Sequence, residues 1–238
     1  MAVRYSVVLP AHNEAESLPA LLDEISSVMS EIGEPWEAVV VDDGSSDGTW
    51  EAIKRFHGPI QGVRLKHRSG QSAALDAGLK AAKGEVLITL DADGQNDPHD
   101  IPLLLKALEE ADCVCGWRQR RHDHFHRRFL SSIANNTRRW VLGDRIQDTG
   151  CSLKVFRANA VRSIKLFRGM HRFLPSLLLI EGFRVKEVPV SHRPRTRGAS
   201  KYSVFNRGLS TVSDLFAVWW MKRRKLNAPI AEWFSHDA

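Results

Sequence analysis

The apolar run Val86-Leu87-Ile88-Thr89-Leu90 passes without a break into Asp91-Ala92-Asp93-Gly94-Gln95, and no other stretch constrains the chain as tightly. So short and continuous an apolar run reads as a strand buried on both faces, the kind found in parallel sheets covered by helices. Asp and Glu are seldom buried without a partner, so two carboxylates one residue apart at the carboxyl end of such a strand need a cation to neutralise them. In an open α/β sheet that edge is also where ligands collect. A divalent metal carrying a nucleotide diphosphate meets both conditions.

The neighbouring segments repeat the strand and helix alternation. Ser6 to Leu9 predicts a strand that Pro10 stops, followed by Leu18, Leu21, Leu22, Ile25, Val28, Met29 and Ile32 at helical spacing up to Gly33. Glu37 to Val41 predicts a second strand, ending in Asp42-Asp43-Gly44-Ser45-Ser46-Asp47-Gly48-Thr49, with a helix from there to about Phe56. Val63 to Lys66 reads as a modest third strand, and Gln71 to Ala82 as a helix with Gly84 as its cap. Asp97-Pro98-His99-Asp100 combines a capping Asp, Pro at the first helical position and an acid three residues on, ahead of Ile101, Leu104, Leu105 and Leu108; Asp112 to Gly116 predicts the next strand. The expected fold is α/β, a mostly parallel sheet flanked by helices, with Pro10 to Glu14, Asp42 to Ser45 and Asp91 to Gln95 meeting at one cleft.

Other phosphate-binding designs do not fit. The chain has no G-x-x-x-x-G-K-[ST] loop and no G-x-G-x-x-G after its first strand. Asp43, Ser45, Asp47 and Gly48 imitate the opening of a calcium loop, but Lys54 stands where the closing Glu belongs and no helix precedes it. Residues 1–116 hold 9 Lys and Arg against 20 Asp and Glu, and the remainder 25 against 8, so a net of −11 adjoins a net of +17 within the overall +6. An acidic half that holds metal beside a basic half that holds phosphates suits a phosphate-rich substrate. A basic nucleic-acid binder is the rival reading of the charge alone; it leaves the strand-end acids unexplained, and no nucleic-acid partner is expected.

The 238 residues, 43% of them hydrophobic, are enough for one sizeable domain. No signal peptide and no apolar stretch of membrane-spanning length is read, so a cytoplasmic or peripheral protein is expected. Cys113, Cys115 and Cys151 have no metal-ligand spacing and are assigned packing roles as reduced thiols.

Val8-Leu9-Pro10-Ala11-His12-Asn13-Glu14, Val41 to Thr49 and Asp91 to Gln95 resemble, in order and spacing, the signature blocks of glycosyltransferase family 2, which has the GT-A fold. Asp148-Thr149-Gly150-Cys151-Ser152-Leu153-Lys154-Val155-Phe156-Arg157, His171-Arg172-Phe173 and Arg197-Gly198-Ala199-Ser200-Lys201-Tyr202 are similar to the polyprenyl-phosphate members, of the dolichyl-phosphate mannosyltransferase type. The resemblance covers about residues 5–222. It implies an inverting, metal-dependent transfer of a sugar from a GDP- or UDP-linked donor to a polyprenyl phosphate, dolichyl or undecaprenyl, at the cytoplasmic membrane face. It also implies roles: Pro10, Asn13, Glu14 and Asp42 at the base and ribose, with Asp43 close by; Asp91, Asp93 and Gln95 holding Mg²⁺ or Mn²⁺; Arg197 and Lys201 on the donor phosphates; Arg118, Arg127 and Arg128 at the acceptor phosphate. A family 2 enzyme with a saccharide or other hydroxyl acceptor is the alternative. Asp91, Asp93, Asp148 and Arg197 are the expected catalytic residues, and Asp148 separates the two acceptors, since a hydroxyl needs a carboxylate to take its proton whereas an anionic phosphate would leave Asp148 to orient groups or shape the site; a loop cap beside Thr149 and Gly150 is the alternative reading of that residue.

The expected organisation is one GT-A domain over 1–225, divided into a nucleotide-sugar half (1–116), an acceptor half (117–202) and an amphipathic helix (203–225), with a tail over 226–238. In that helix Phe205, Leu209, Val212, Phe216 and Trp219 recur at helical steps, Trp220 adjoins them and Lys222-Arg223-Arg224-Lys225 follows. The pattern fits an interfacial helix on a membrane and equally a core helix with a charged end. Many members of the family it resembles carry membrane-spanning helices after this point; here anchoring is expected from this helix or from an integral membrane partner. Gly198 is read as the hinge of a lid over the donor, His122, His124 and His126 as part of a solvated basic segment, and Trp36, Trp50 and Trp140 as core or interface residues.

Overall fold

The computed structural model describes residues 2–118, 135–194 and 204–226, with backbone alone for 204–210. Strands β1 (Tyr5–Ala11), β2 (Trp36–Asp42), β3 (Ile60–Arg64), β4 (Val86–Thr89), β5 (Cys113–Arg118), β6 (Lys154–Arg157) and β7 (Val185–Val190) form one sheet in the order β3-β2-β1-β4-β6-β5-β7. β6 runs antiparallel to both its neighbours, β4 and β5, and every other pairing is parallel. The helices are α1 (Leu18–Ile32), α2 (Thr49–Arg55), α3 (Gln71–Ala81), α4 (Ile101–Ala107), α5 (135–142), α6 (Ala158–Arg162), α7 (Leu174–Glu181) and α8 (Val204–Arg224).

Strand periodicity of two explains the layers. Val7, Leu9, Val40 and Ile88 point to one face and pack on Leu18, Leu22, Ile25 and Met29 of α1 and Ile101 and Leu104 of α4. Val8, Val39 and Leu87, one residue out of phase, point to the other face against Leu75 and Leu79 of α3 and Leu174 and Leu178 of α7. Each such side chain contributes roughly 1.5–3 kcal/mol by leaving water. A smaller cluster of Leu142, Met170, Phe173, Leu177 and Val218 fastens α5 and α8 to the body. All three cysteines are buried and unpaired, as expected.

Several elements depart from the sequence expectation for identifiable reasons. β1 does not stop at Pro10; it continues to Ala11, with Pro10 opposite Val41. β4 pairs with β1 only as far as Val8, so the missing proline N–H breaks no ladder on that side. β3 begins at Ile60, earlier than Val63, because an edge strand with one exposed face shows little apolar signal. Gly84 is not the cap of α3, which ends at Ala82 in extended conformation. It passes instead so close to β1 that a Cβ would stand 2.7 Å from the Ser6 nitrogen. Asp97 does cap its helix, accepting the His99 N–H, but the first turn is 3₁₀ and Asp100 reaches Ser191 N at 2.7 Å instead of closing a capping box.

α8 has two apolar faces. Val218 is fully buried and Leu215 and Trp219 pack on the same cluster, whereas Val212, Phe216 and Trp220 are 67%, 62% and 52% exposed. The core and interfacial readings therefore describe adjoining faces of one helix, and the rings of Phe216 and Trp219 stand 5.4 Å apart where the two meet. Trp36 and Trp50 pack against the core, but Trp140 is 85% exposed on α5. No helix among the described residues is long and apolar enough to cross a membrane.

Candidate active site

The loops after β1, β2 and β4 converge at the carboxyl edge of the sheet, as their polar composition predicts. Two adjoining cavities there share Pro10, Gln71 and Asp91. The outer one is lined by His12, Glu14, Asp43, Asp91 and Asp93, and the inner one by Thr149, Ser152, Lys154, His171 and Arg172 among others.

Short hydrogen bonds lock the first two loops together. Asn13, at φ 53°, donates its backbone N–H to Ser45 Oγ at 2.9 Å and accepts the Ser46 N–H on Oδ1 at 2.8 Å. The Glu14 N–H meets Thr49 Oγ1 at 2.8 Å, and His12 Nδ1 lies 2.9 Å from the Asp43 carbonyl. Asp42 is fully buried beneath this surface, where Oδ1 accepts the Ser45 N–H at 2.8 Å and Oδ2 faces Arg64 Nε at 3.2 Å. It supports the loop and does not line the cavity, whereas Asp43 does. The Asp43 carboxylate accepts the N–H groups of Ser69 and Gly70 at 2.6 and 2.8 Å, tying the segment before α3 to the cleft.

Asp91 and Asp93 stand where the sequence places them, on the wall between the two loops. Asp91 Oδ1 accepts from Gln71 Nε2 at 2.7 Å, and its backbone N–H donates to Ser152 Oγ at 3.1 Å. Burial, and then the charge of Asp93, push Asp91 up to about 6, against the opposing pull of Lys154, Ser152 and Arg118. The pair thus carries negative charge that its surroundings undercompensate, and hard carboxylate oxygens are the ligands Mg²⁺ and Mn²⁺ prefer, so these residues fit a divalent cation. Gln95 is turned to structural use in its backbone: its N–H meets Asp93 Oδ1 at 3.1 Å and its carbonyl accepts from Arg193 N at 2.9 Å. Its side chain lines neither cavity.

Among the described residues, Glu24, Asp97 and His99 form the one group of three His, Cys, Asp or Glu side chains close enough to share an ion. Arg193 already bridges them, 2.8 Å from Glu24 Oε2 and 2.8 Å from Asp97 Oδ1, so a guanidinium supplies the positive charge there.

Asp148 and Arg118, expected on the catalytic and acceptor-phosphate groups respectively, are bound to each other. Arg118 Nε and Nη2 approach Asp148 Oδ2 and Oδ1 at 2.7 and 2.9 Å, and the Gly150 N–H donates to Oδ1 at 3.1 Å. The carboxylate is both an ion-pair partner and a loop cap, buried to 4% exposure. Removing one member of so enclosed a pair strands the other charge, so Asp148→Asn is expected to cost about 3 kcal/mol of stability, read from urea unfolding. Turnover is expected to fall with it, through displacement of the loop over 148–152.

Four residues of the cleft carry no role in the sequence reading. Lys154 and His171-Arg172 lie in quoted blocks but are not singled out there, and Gln71 reads only as a helix start. Lys154 is nearly fully buried on β6, its ammonium on the Cys151 carbonyl, and His171 Nδ1 is 2.7 Å from Ser72 Oγ. A Lys inside the apolar run Leu153-Lys154-Val155-Phe156 was the available signal, since Lys rarely enters a buried strand without a partner. Arg127, Arg128, Arg197, Lys201, the His122, His124 and His126 run and the Gly198 hinge lie outside the described residues.

Known proteins are similar to this chain in sequence or in fold. A family model, glycosyl transferase family 2, matches residues 6–165. Dodecaprenyl-phosphate galacturonate synthase of Rhizobium johnstonii is 36% identical over 233 residues, 94% of this chain and 69% of that one. Undecaprenyl-phosphate 4-deoxy-4-formamido-L-arabinose transferase of Aeromonas hydrophila is 35% identical over 206 residues, 84% of this chain and 63% of that one. Thus the chain spans about two thirds of the length of these relatives. Glucosyl-3-phosphoglycerate synthase from Mycobacterium tuberculosis, solved with Mn²⁺, UDP-glucose and phosphoglyceric acid, superposes with a TM-score of 0.69 at 21% identity, covering 92% of this chain and 79% of that one. A mannosyltransferase from Pyrobaculum calidifontis, solved with GDP-mannose and Mn²⁺, gives 0.64 at 20% identity over 96% of this chain and 66% of that one. These likenesses establish the GT-A fold.

Proposed function

The chain belongs to glycosyl transferase family 2, and from that membership we propose that it transfers a sugar from a nucleoside-diphosphate donor to a polyprenyl phosphate. The observation that carries this reading is the identity to two prenyl-phosphate sugar transferases across 84–94% of the chain, joined to a cleft in which strand-end carboxylates face a basic inner cavity. Asp43 and Glu14, which line the outer cavity, would meet the base and ribose. Asp91 and Asp93 would hold Mg²⁺ or Mn²⁺, which when bound offsets the charge that gathers on the departing diphosphate.

The acceptor oxygen forms its bond to the anomeric carbon as the bond from that carbon to the diphosphate oxygen breaks, and the electron pair leaves with the nucleoside diphosphate. In-line attack inverts the anomeric centre. A phosphate monoester loses its second proton near pH ~6, so it attacks as an anion at neutral pH and needs no general base. The engagement of Asp148 by Arg118 and Gly150 supports this acceptor over a hydroxyl, which would need that carboxylate for its proton. Lys154, buried and lining the inner cavity, would set its amino group beside the reacting phosphates.

A lipid acceptor calls for contact with a bilayer. The exposed Val212, Phe216 and Trp220, one helical turn apart, and the Lys222 to Lys225 cluster at the end of α8 support peripheral association with an anionic membrane surface. The test is a panel of UDP- and GDP-sugars with Mn²⁺ or Mg²⁺ and a short-chain polyprenyl phosphate, scored for free nucleoside diphosphate and glycolipid. Formation of a prenyl-phosphate sugar with one donor is expected. Transfer to saccharide hydroxyls with none to prenyl phosphate would refute the proposal.

A further inference from the structure

A third cavity opens beyond the inner one. It shares Thr149, Gly150 and Arg172 with it and extends to Phe173 and to Thr211 and Leu215 of α8. Arg138 of α5 also lines it, at 3% exposure. Its Nη2 is committed to the Ile146 carbonyl and to Asp144 Oδ1, the latter at 3.2 Å. Nε and Nη1 find no hydrogen-bond partner among the described residues. An arginine presents five N–H donors in a rigid fork, and leaving part of that fork buried and unbonded is costly, so the free donors of Arg138 at the cavity wall call for an acceptor.

The surrounding charge does not supply the missing acceptor. Asp144 also accepts from Ser176 Oγ at 2.7 Å. Glu187 and Asp148 act on Arg138 from farther off, but Glu187 accepts the backbone N–H groups of Gln147 and Asp148, and Asp148 is gripped by Arg118. Arg172, the other guanidinium of the cavity, donates to Thr211 Oγ1 at 2.9 Å, with Asp214 as its neighbouring carboxylate.

Resting on the prenyl-phosphate reading above, we propose that Arg138 and Arg172 clamp the acceptor's phosphate where the inner cavity opens toward α8, with its first isoprene unit against Phe173 and Leu215. Guanidinium forks match phosphate oxygens two at a time, which a flexible ammonium does not. The position accounts for both ends of the acceptor: phosphate toward Asp91 and Lys154 through the shared wall, and hydrocarbon toward the helix whose adjoining face exposes Val212 and Phe216. It also gives the acceptor a basic site separate from Arg118, whose fork Asp148 holds.

The experiment is calorimetric and kinetic titration of the whole chain with farnesyl phosphate, with inorganic phosphate and farnesol as separate arms. Arg172→Gln and Arg138→Gln are expected to raise the Kd and KM for farnesyl phosphate about 10-fold or more, the loss of a charged bidentate contact. Nucleoside diphosphate binding with Mn²⁺, and the weak binding of farnesol, should stay at parental values, as should every parameter of Arg139→Gln. Inorganic phosphate should compete with farnesyl phosphate in the parent and not in the variants. Arg172 is half-exposed, so its variant keeps the test valid if Arg138→Gln fails to fold. A parent that uses prenyl phosphate with Arg172→Gln unchanged overturns the clamp alone; a parent that neither binds nor uses prenyl phosphate overturns the clamp together with the function it rests on.

Discussion

Asp91→Asn is expected to lower kcat by about 10³-fold, or ~4 kcal/mol of transition-state stabilisation, while leaving the protein as stable as the parent or more so. The two effects have one cause. Asp91 sits at the cleft with Asp93 beside it, and its carboxyl is pushed from the ordinary 3.8 up to about 6. A raised carboxyl value means that the native state disfavours the ionised form. The resulting cost is absent below pH ~4, grows through the interval and is complete above about 6. Asn cannot ionise, and its amide oxygen can still accept from Gln71 as Asp91 Oδ1 does. In metal-free buffer at pH 7.5 the variant's Tm should therefore equal or exceed the parent's, and the gap should close as pH falls toward ~4. An inactive variant that is also markedly less stable would show that Asp91 serves the fold and not a ligand.

Gly44→Ala is the second large effect, and it acts through the donor loop. Gly44 has φ 63°, a conformation that L side chains rarely adopt, and an added Cβ would meet Arg68 N and His67 C at 2.6 Å. Both contacts are backbone, so no side chain can swing aside. The left-handed conformation and the clash together are expected to cost about 3 kcal/mol, which lowers Tm by about 8 °C in a domain of this size. The segment that would be displaced is the one Asp43 holds through Ser69 and Gly70. Nucleotide affinity should accordingly fall about 10-fold, since a charge-assisted hydrogen bond is lost or strained. Unchanged stability together with unchanged nucleotide affinity would contradict the close packing of these two loops.

Much of this cleft was legible because the strands that build it are central. β1, β2 and β4 are buried on both faces, so each carries a run of apolar residues, and a polar cluster at the end of each stands out. What was not legible depends on neighbours that local patterns do not encode. β6 is four residues long, and its place between β4 and β5 is set by pairing with residues some 40 to 70 positions away. Pro10 reads as a stop because its tolerance depends on where β4 leaves β1. Gly84 reads as a helix cap because the approach of Ser6 is invisible along the chain. Arg138 is hardest of all: it lies beside Arg139 in a basic half, and only packing of α5 on α8 and the 144–146 turn distinguishes the buried guanidinium from its neighbour. The same holds for Asp42 and Asp43, adjacent acids of which one supports the loop and the other borders the cavity.

The central claim is that Asp91 and Asp93 join the chain to a donor diphosphate through a divalent cation. Isothermal titration of UDP and GDP into the parent protein, with Mn²⁺ and with EDTA, measures this directly. One nucleotide should bind at least ~10-fold more tightly with Mn²⁺, and Asp91→Asn should abolish that difference while the weaker metal-free binding persists. Equal affinity with and without the ion, or an ion dependence that survives in Asp91→Asn, would contradict it.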